Sequence, residues 1–483
     1  MPGVATTTRR LGRGTYLGYS LGSLATGTFG TVPGLLLLYF LTDTLGVAAG
    51  VAGVTVLLPK LWDVVWNPLV GGWSDRTHTR WGARRPWMLL GALVLPVFFV
   101  GMFAAPTTLS TGAAAVWTGV AFLVAAASYA LFQVPYVSMP AEMTDDYQER
   151  TTIVSYRIVA LTIGILAAGA LAPVLVEAAG GGRTGYLVMA VAIATFMAVS
   201  MVGTVIGTAR APRTSRPSGA GSLAVAVRAA RQNPWFLSLW VTFVIQALAS
   251  AATLAAIPYF ATYILDRKGA TTILFAGLVA PAILVMPLWT RYAAGAGKKR
   301  AYVIASLLYA AASLGLAAGR VIGMGGVLAL VVLAGVGYSG MQLFPLAMLP
   351  DTVEADEARA GVRRSGLLTG LWTAGETGAF AIGPALVGAV LAVTGFVSSE
   401  GDTVVAQSTT AITGIVVAFS LLPAAAMLLS LLVLRRYDLS AERLAQVVED
   451  AGTGTGVAPV VPEDAGAAGA AATHESTTEG TTP

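Results

Sequence analysis

The sequence predicts an all-α membrane protein of twelve transmembrane helices in two pseudo-symmetric six-helix bundles, and three observations carry that reading. Of 483 residues, 56% are hydrophobic and only 11% charged, too few charges to coat a soluble core of this size. Apolar runs of about 20 residues, enough to cross a bilayer as a helix, begin near Tyr16, Ala49, Pro86, Ala113, Thr152, Tyr186, Trp235, Ala270, Ala301, Gly325, Gly366 and Thr410. The second half of the chain also echoes the first. LYFLTDTL (38–45) returns as PYFATYIL (258–265), PYVSMPAEMTDDYQER (135–150) as PLAMLPDTVEADEAR (345–359), and GARRPW (82–87) as GAGKKRAYV (295–303). Two copies of one helical unit are the sequence signature of a transporter with its site between the halves.

In chain order, residues 1–15 read as a short basic leader, 16–209 as the first six-helix bundle and 210–234 as a basic central loop. Residues 235–440 read as the second bundle. From 441 to 483 the chain is rich in Gly, Ala, Thr and Pro and reads as a disordered tail, because it has too little apolar surface to fold. The basic residues sort the loops. Arg9, Arg10 and Arg13, then 76–85, 210–231, 291–300, 359–364 and 435–443 fall on one side, against Arg183, Arg267, Lys268 and Arg320 on the other. The positive-inside rule makes the first side cytoplasmic and places both termini there, which requires an even number of spans. The leader is short enough for the first span to insert as an uncleaved anchor.

Several chemistries are excluded. There is no cysteine, so disulfides, thiolate metal sites and iron–sulfur clusters are out. His78 and His474 lie in polar segments, which leaves no imidazole relay at membrane depth. No nucleophile–base pair or ligand cluster marks an enzyme, a metal site or a cofactor. The net charge of +5 belongs to the topology-setting loops, so no nucleic-acid partner is expected. With 25 Arg against 4 Lys and abundant Ala and Gly, the coding DNA reads as GC-rich, which points to a bacterium and its inner membrane.

Polar side chains at membrane depth are costly and mark function by default. In the second span Lys60, Asp63 and Asn67 share one helical face, with Trp62 and Trp66 beside them. Asp63 sits near the middle of its span at 1.5 Å of rise per residue. Two readings stand: an internal ion pair with Lys60 that only fixes packing, or a desolvated carboxylate that takes up and releases a proton or holds a cation as a cavity alternates. Further candidates lining a substrate cavity are Tyr129 and Gln133 on span 4, Arg157 on span 5, Gln342 on span 10, and Trp372, Thr373, Glu376 and Thr377 on span 11. Arg157 is shallow enough to snorkel. Glu376 is too deep for that and calls for a partner, with Arg157 or Lys60 available. Tyr129 and Trp372 are equally suited to packing.

The stretches LWDVVWNPLVGGWSDRTHTRWGARRPWMLLGAL (61–93), FQVPYVSMPAEM (132–143), MLPDTVEADEARAGVRRSG (348–366) and GETGAFAIGPALVG (375–388) together resemble the glycoside–pentoside–hexuronide:cation symporter family of the major facilitator superfamily. The resemblance implies two six-helix bundles about a central cavity, working by alternating access. Asp63 matches the family's first cation-site aspartate. Asn67 stands where a second aspartate is expected, Trp66 replaces a coordinating asparagine and Ala130 a threonine. Sodium needs several oxygen ligands, so these losses favour a proton, which needs one carboxylate.

On the sugar side Tyr129, Arg157 and Thr373 match. Gly27 falls where the family has a sugar-binding aspartate, Gln133 replaces another, Val137 a stacking tryptophan, and Thr377 a lysine. Asp75, Arg76, Arg84, Arg85, Glu142, Asp351 and Arg363 would form cytoplasmic gates. The expectation is a secondary transporter, monomeric and lipid-embedded, moving a small organic solute of the sugar or glycoside class with a proton through Asp63. Export or flipping of an amphipathic metabolite, uncoupled facilitation and a transport-dead sensor are the alternatives.

Overall fold

A computed structural model describes residues 11–144, 146–211, 223–361, 364–401 and 404–452. Apart from one isolated β-bridge between Leu45 and Glu400, the described residues form no β-structure. Helices satisfy every backbone group within the segment, which the bilayer demands.

The first half comprises α1 (Arg13–Val32), extended by π-helical turns at Pro33–Leu37 and Phe40–Thr44, then α2 (Ala49–Arg76), α3 (Arg85–Phe103), α4 (Thr111–Met143), α5 (Tyr147–Ala178) and α6 (Gly182–Gly207). A short α7 (Leu223–Gln232) leads into the second half. There α8 (Pro234–Tyr259) continues through a π-helical turn at Phe260–Ile264. The seventh span is followed by α9 (Ala270–Val279) with α10 (Pro281–Ala296), then α11 (Lys298–Gly315), α12 (Gly319–Ala360) and α13 (Ser365–Val393). The last span is α14 (Thr409–Val416) with α15 (Leu422–Leu434), and α16 (Ala441–Gly452) closes the described chain.

Ten stretches are long and apolar enough by themselves to cross a membrane. One of them, Lys298–Ala360, doubles back and supplies two spans: the backbone breaks at Gly323 (φ 67°), a conformation that suits glycine because it has no Cβ. Adding α1 with its π-helical extension gives the twelve spans that the hydropathy pattern predicts.

Start signals are local. Ser110, Asp146, Asn233 and Ser408 cap α4, α5, α8 and α14 with side-chain oxygens, and Pro234 and Pro281 occupy first-turn positions where no amide hydrogen is needed.

Packing repeats between the halves. α1 lies on α5 and α6 as α8 lies on α13 and α15, α3 lies on α4 and α6 as α11 lies on α12 and α15, and α2 lies on α4 as α10 lies on α12. The halves meet through α2 against α13 and α5 against α9, two contacts that a pseudo-two-fold axis exchanges.

Two expectations change. The central loop contains α7, which packs on α13 and α8, and the segment from Ala441 is a helix through Gly452 that packs on α12 through Leu444 and Val447. Both helices have a strongly amphipathic pattern that composition alone disguises. The leader up to residue 10, the loop at 212–222 and the tail from 453 lie outside the described residues.

The end of the molecule opposite the basic loops is sealed by symmetry-related partners. Tyr39 bonds Thr262 (3.0 Å) and its counterpart Tyr259 bonds Thr42 (2.7 Å), so the two bonds are reciprocal. Between them Asp43 accepts a bond from Tyr263, its equivalent in the other half. The 394–408 loop adds Ser399 N to Thr42 O (3.0 Å), Gly401 N to Thr44 O (3.1 Å) and Ser398 Oγ to Val47 O (2.8 Å).

Candidate functional site

Asp63 is buried on α2, 4% exposed, and its Oδ1 has no hydrogen-bond partner. Lys60, one turn earlier, does not reach it. The ammonium lies 5.3 Å from the ring centroid of Phe29 and 5.8 Å from that of Phe122, so α1 and α4 hold it by cation–π attraction. No ion pair joins the two among the described residues, although the Lys60 charge remains within electrostatic reach of Asp63. Asn67 is half-buried one turn further on. Trp66 cannot replace the coordinating side chain it displaces, because its Nε1 donates to the Ala127 carbonyl (3.2 Å) on α4, and Ala130 is buried without a hydroxyl.

Tyr129 on α4 is the hinge of the arrangement. Its ring stacks on Phe29 at 4.7 Å, and its phenol lies within electrostatic reach of Asp63, Arg157 and Glu376. Charged groups from α2, α5 and α13, and thus from both halves, converge there. Glu376 also lies within electrostatic reach of the phenol of Tyr338 on α12, a residue absent from the candidates read from the sequence. Arg157 does not snorkel outward. Its guanidinium covers the ring of Tyr136 at 5.7 Å, and its Nε is buried without a partner. Tyr136 is in turn held by Ser23 (2.7 Å) and by a stack on Tyr19 at 4.5 Å. Gln133, one turn beyond Tyr129, leaves Oε1 buried and unbonded.

On α13 the picture is mixed. Glu376 finds neither expected cation: no ion pair joins it to Arg157 or Lys60 among the described residues. Thr373 bonds back to the Thr369 carbonyl (3.2 Å) and Thr377 is half-buried. Trp372, 3% exposed, stacks on Phe243 of α8 at 4.3 Å, and its Nε1 is buried without a hydrogen-bond partner. Gln342 is half-buried on α12, with no contact among the described residues that ties it to the others. Gly27 has a structural reason for being glycine. A Cβ there would meet the Leu161 carbonyl oxygen of α5 at 2.6 Å, and one at Gly164 would meet that of Leu24 at 2.5 Å. An aspartate at 27 cannot coexist with so close a crossing of α1 and α5.

At the basic end, each clamp closes within its own half. Arg84, 6% exposed, joins Asp75 (2.5 Å) and Glu142 (2.8 Å) and bonds Ser74 Oγ (2.9 Å), tying the end of α2, the start of α3 and the end of α4. Asp351 pairs with Lys298 (2.7 Å), tying α12 to α11. The sequence comparison had placed Lys298 in the turn that matches Arg84 without assigning it this role. Arg85 instead donates to the carbonyls of Thr208 and Ala209 at the end of α6, the position where a helix dipole attracts a cation. Arg76 is exposed, and Arg363 lies outside the described residues.

Comparison with known proteins agrees with this geometry. The chain is 28% identical over 397 residues to an isoprimeverose transporter of Lactiplantibacillus pentosus, covering 80% of this chain and 81% of that protein. It is 25% identical over 439 residues to a glucuronide carrier protein homolog of Escherichia coli (strain K12), covering 90% and 94%. The crystal structure of a D-xylose-proton symporter superposes with a TM-score of 0.62 at 14% identity, over 86% of this chain and 96% of that one, a likeness of fold. The MFS/sugar transport protein family matches residues 18–441, and the chain belongs to that family: it is a membrane transporter, not an enzyme.

Proposed function

We propose that this transporter carries a sugar or short glycoside together with a proton, and that Asp63 is the carboxylate that takes the proton up. The observation that carries this reading is the buried Asp63 whose nearest cation, Lys60, is turned onto aromatic rings. An unpaired carboxylate at membrane depth is neutralised most cheaply by a proton. The names of the relatives, an isoprimeverose transporter and a glucuronide carrier homolog, support the solute class. The unbonded Gln133 Oε1 and Arg157 Nε support it too, since buried polar atoms without partners suit a hydroxyl-rich ligand that supplies them.

The excess of Lys and Arg in the loops at the clamped end supports placing that end, and both termini, in the cytoplasm of a bacterial inner membrane. The sealed end then faces outward, and the state described is closed to the outside. The solute would leave towards the cytoplasm as the halves rock about the α2–α13 and α5–α9 contacts.

The test is uptake into proteoliposomes under an inward proton gradient, with isoprimeverose, D-xylose and a glucuronide as probes. Accumulation of one of them that collapses with a protonophore supports the reading. Accumulation that ignores the proton gradient, or persists unchanged in Asp63→Asn, removes Asp63 from the coupling role.

A further inference from the structure

Among the side-chain links described across the outer seal, the bond from Tyr263 to Asp43 involves an ionisable acid, beside the hydroxyl links of Tyr39 with Thr262 and Tyr259 with Thr42. We propose that Asp43 is a second proton-binding site, which holds the halves shut on the outer side while ionised and loosens them when protonated from that side.

The direction of each hydrogen bond supports this. Asp43 Oδ2 accepts from Thr42 Oγ1 (2.6 Å) and Oδ1 accepts from the Tyr263 phenol. Thr42 has a single hydroxyl hydrogen. With that hydrogen on Asp43, the Thr42–Tyr259 bond (2.7 Å) is donated by Tyr259. Two O–H groups thus point at Asp43 and a third, that of Tyr259, at Thr42, an order set by the acceptor-only carboxylate. Protonation removes the charge that roughly doubles the strength of the Tyr263 bond. It also turns one carboxyl oxygen into a donor. Thr42 must then accept from Asp43 and fall back on the Leu38 and Tyr39 carbonyls at 3.3 Å. The Tyr263–Asp43 link between the halves weakens, and the hydroxyl order around Thr42 rearranges.

Protons have a route in. A cavity of about 310 Å³ adjoins Asp43, lined also by Thr44, Glu177, Tyr186, Thr262 and Lys268. The titratable groups around Asp43 are Lys268, the carboxylate of Glu177 and the phenols of Tyr39, Tyr186, Tyr259 and Tyr263, with Glu400 across the bridge to Leu45. A proton arriving from outside would release the latch before it reaches Asp63, so that external acid both opens the carrier and loads it. This goes beyond the coupling role of Asp63 and does not depend on the solute.

The chain has no cysteine, so Thr108→Cys and Val321→Cys, exposed positions at the outer ends of the two halves, can carry a spin-label pair without other changes. Pulsed electron paramagnetic resonance in nanodiscs should show the longer inter-label distance gaining population severalfold as the buffer is acidified. Asp43→Asn should hold the longer distance at every pH. Tyr263→Phe, which leaves the acid in place but removes a donor that supports its charge, should open at less acid pH than the parent. The proposal is overturned if the parent pair does not respond to pH, if Asp43→Asn responds as the parent does, or if Tyr263→Phe opens at the same pH as the parent.

Discussion

Lys60 and Asp63 stand one helical turn apart on α2 and do not pair, because the ammonium of Lys60 is drawn onto the rings of Phe29 and Phe122. The cation is held by aromatic rings, while the acid has no hydrogen-bond or ion-pair partner among the described residues. Replacing Lys60 by Ala should cost stability of the order of a cation–π contact, about 0.5–2 kcal/mol, and leave uptake dependent on the proton gradient. Asp63→Asn should abolish proton-driven accumulation while the protein still folds. Parallel uptake and thermal melting measurements on the two variants check both halves of this expectation, and equal loss of proton dependence in Lys60→Ala would contradict it.

The two clamps at the basic end should differ sharply in strength. Arg84 is 6% exposed and serves two acids, whereas Lys298 is 46% exposed and serves one. Removing Arg84 takes a buried guanidinium from both Asp75 and Glu142, so Arg84→Ala should cost about 3 kcal/mol, and Arg84→Lys should recover little because an ammonium cannot reproduce the planar fork. Lys298→Ala should cost about 0–1 kcal/mol. Melting curves of the purified proteins rank the three.

Restoring the family's aspartate at residue 27 should harm rather than help. The crossing of α1 and α5 leaves a Cβ at Gly27 only 2.6 Å from the Leu161 carbonyl oxygen, and overpacking of this kind costs about 1–3 kcal/mol. Gly27→Asp should lower the melting temperature and reduce uptake of every probe. A stable variant with better sugar uptake would show that the helices separate easily at this point.

Arg157 should act on solute affinity more than on turnover. A charged hydrogen bond is worth about 1.5–3 kcal/mol, so loss of one Nε–H donor should raise the KM for the transported sugar by at least about tenfold. Arg157→Lys keeps the charge and loses both that donor and the planar contact with Tyr136, and its KM measured beside the parent's isolates the geometric part.

Much of the site was legible because membrane helices make side-chain placement periodic. The depth of Asp63 follows from counting residues, and the convergence of Tyr129 with Arg157 and Glu376 follows from assigning each to a span and a face. Trp372 escaped that logic. It shares a turn with Thr373 and Glu376, yet it turns towards Phe243, and only the position of α8 decides which way a buried indole points. Asp43 was overlooked for a different reason. The LYFLTDTL and PYFATYIL repeats identify equivalent positions, but nothing in a repeat says that the equivalents touch.

By itself the sequence determined the number of spans, the division into two related halves, the basic end and the depth of the Asp63 carboxylate. Hydropathy, charge and helical period are properties of neighbouring residues along the chain, so they survive without coordinates. Tertiary structure alone decided that Lys60 abandons Asp63, that Gly27 marks a helix crossing, and that Asp43 meets Tyr263. Each of these depends on how closely separate helices approach, which the packing of the whole bundle sets.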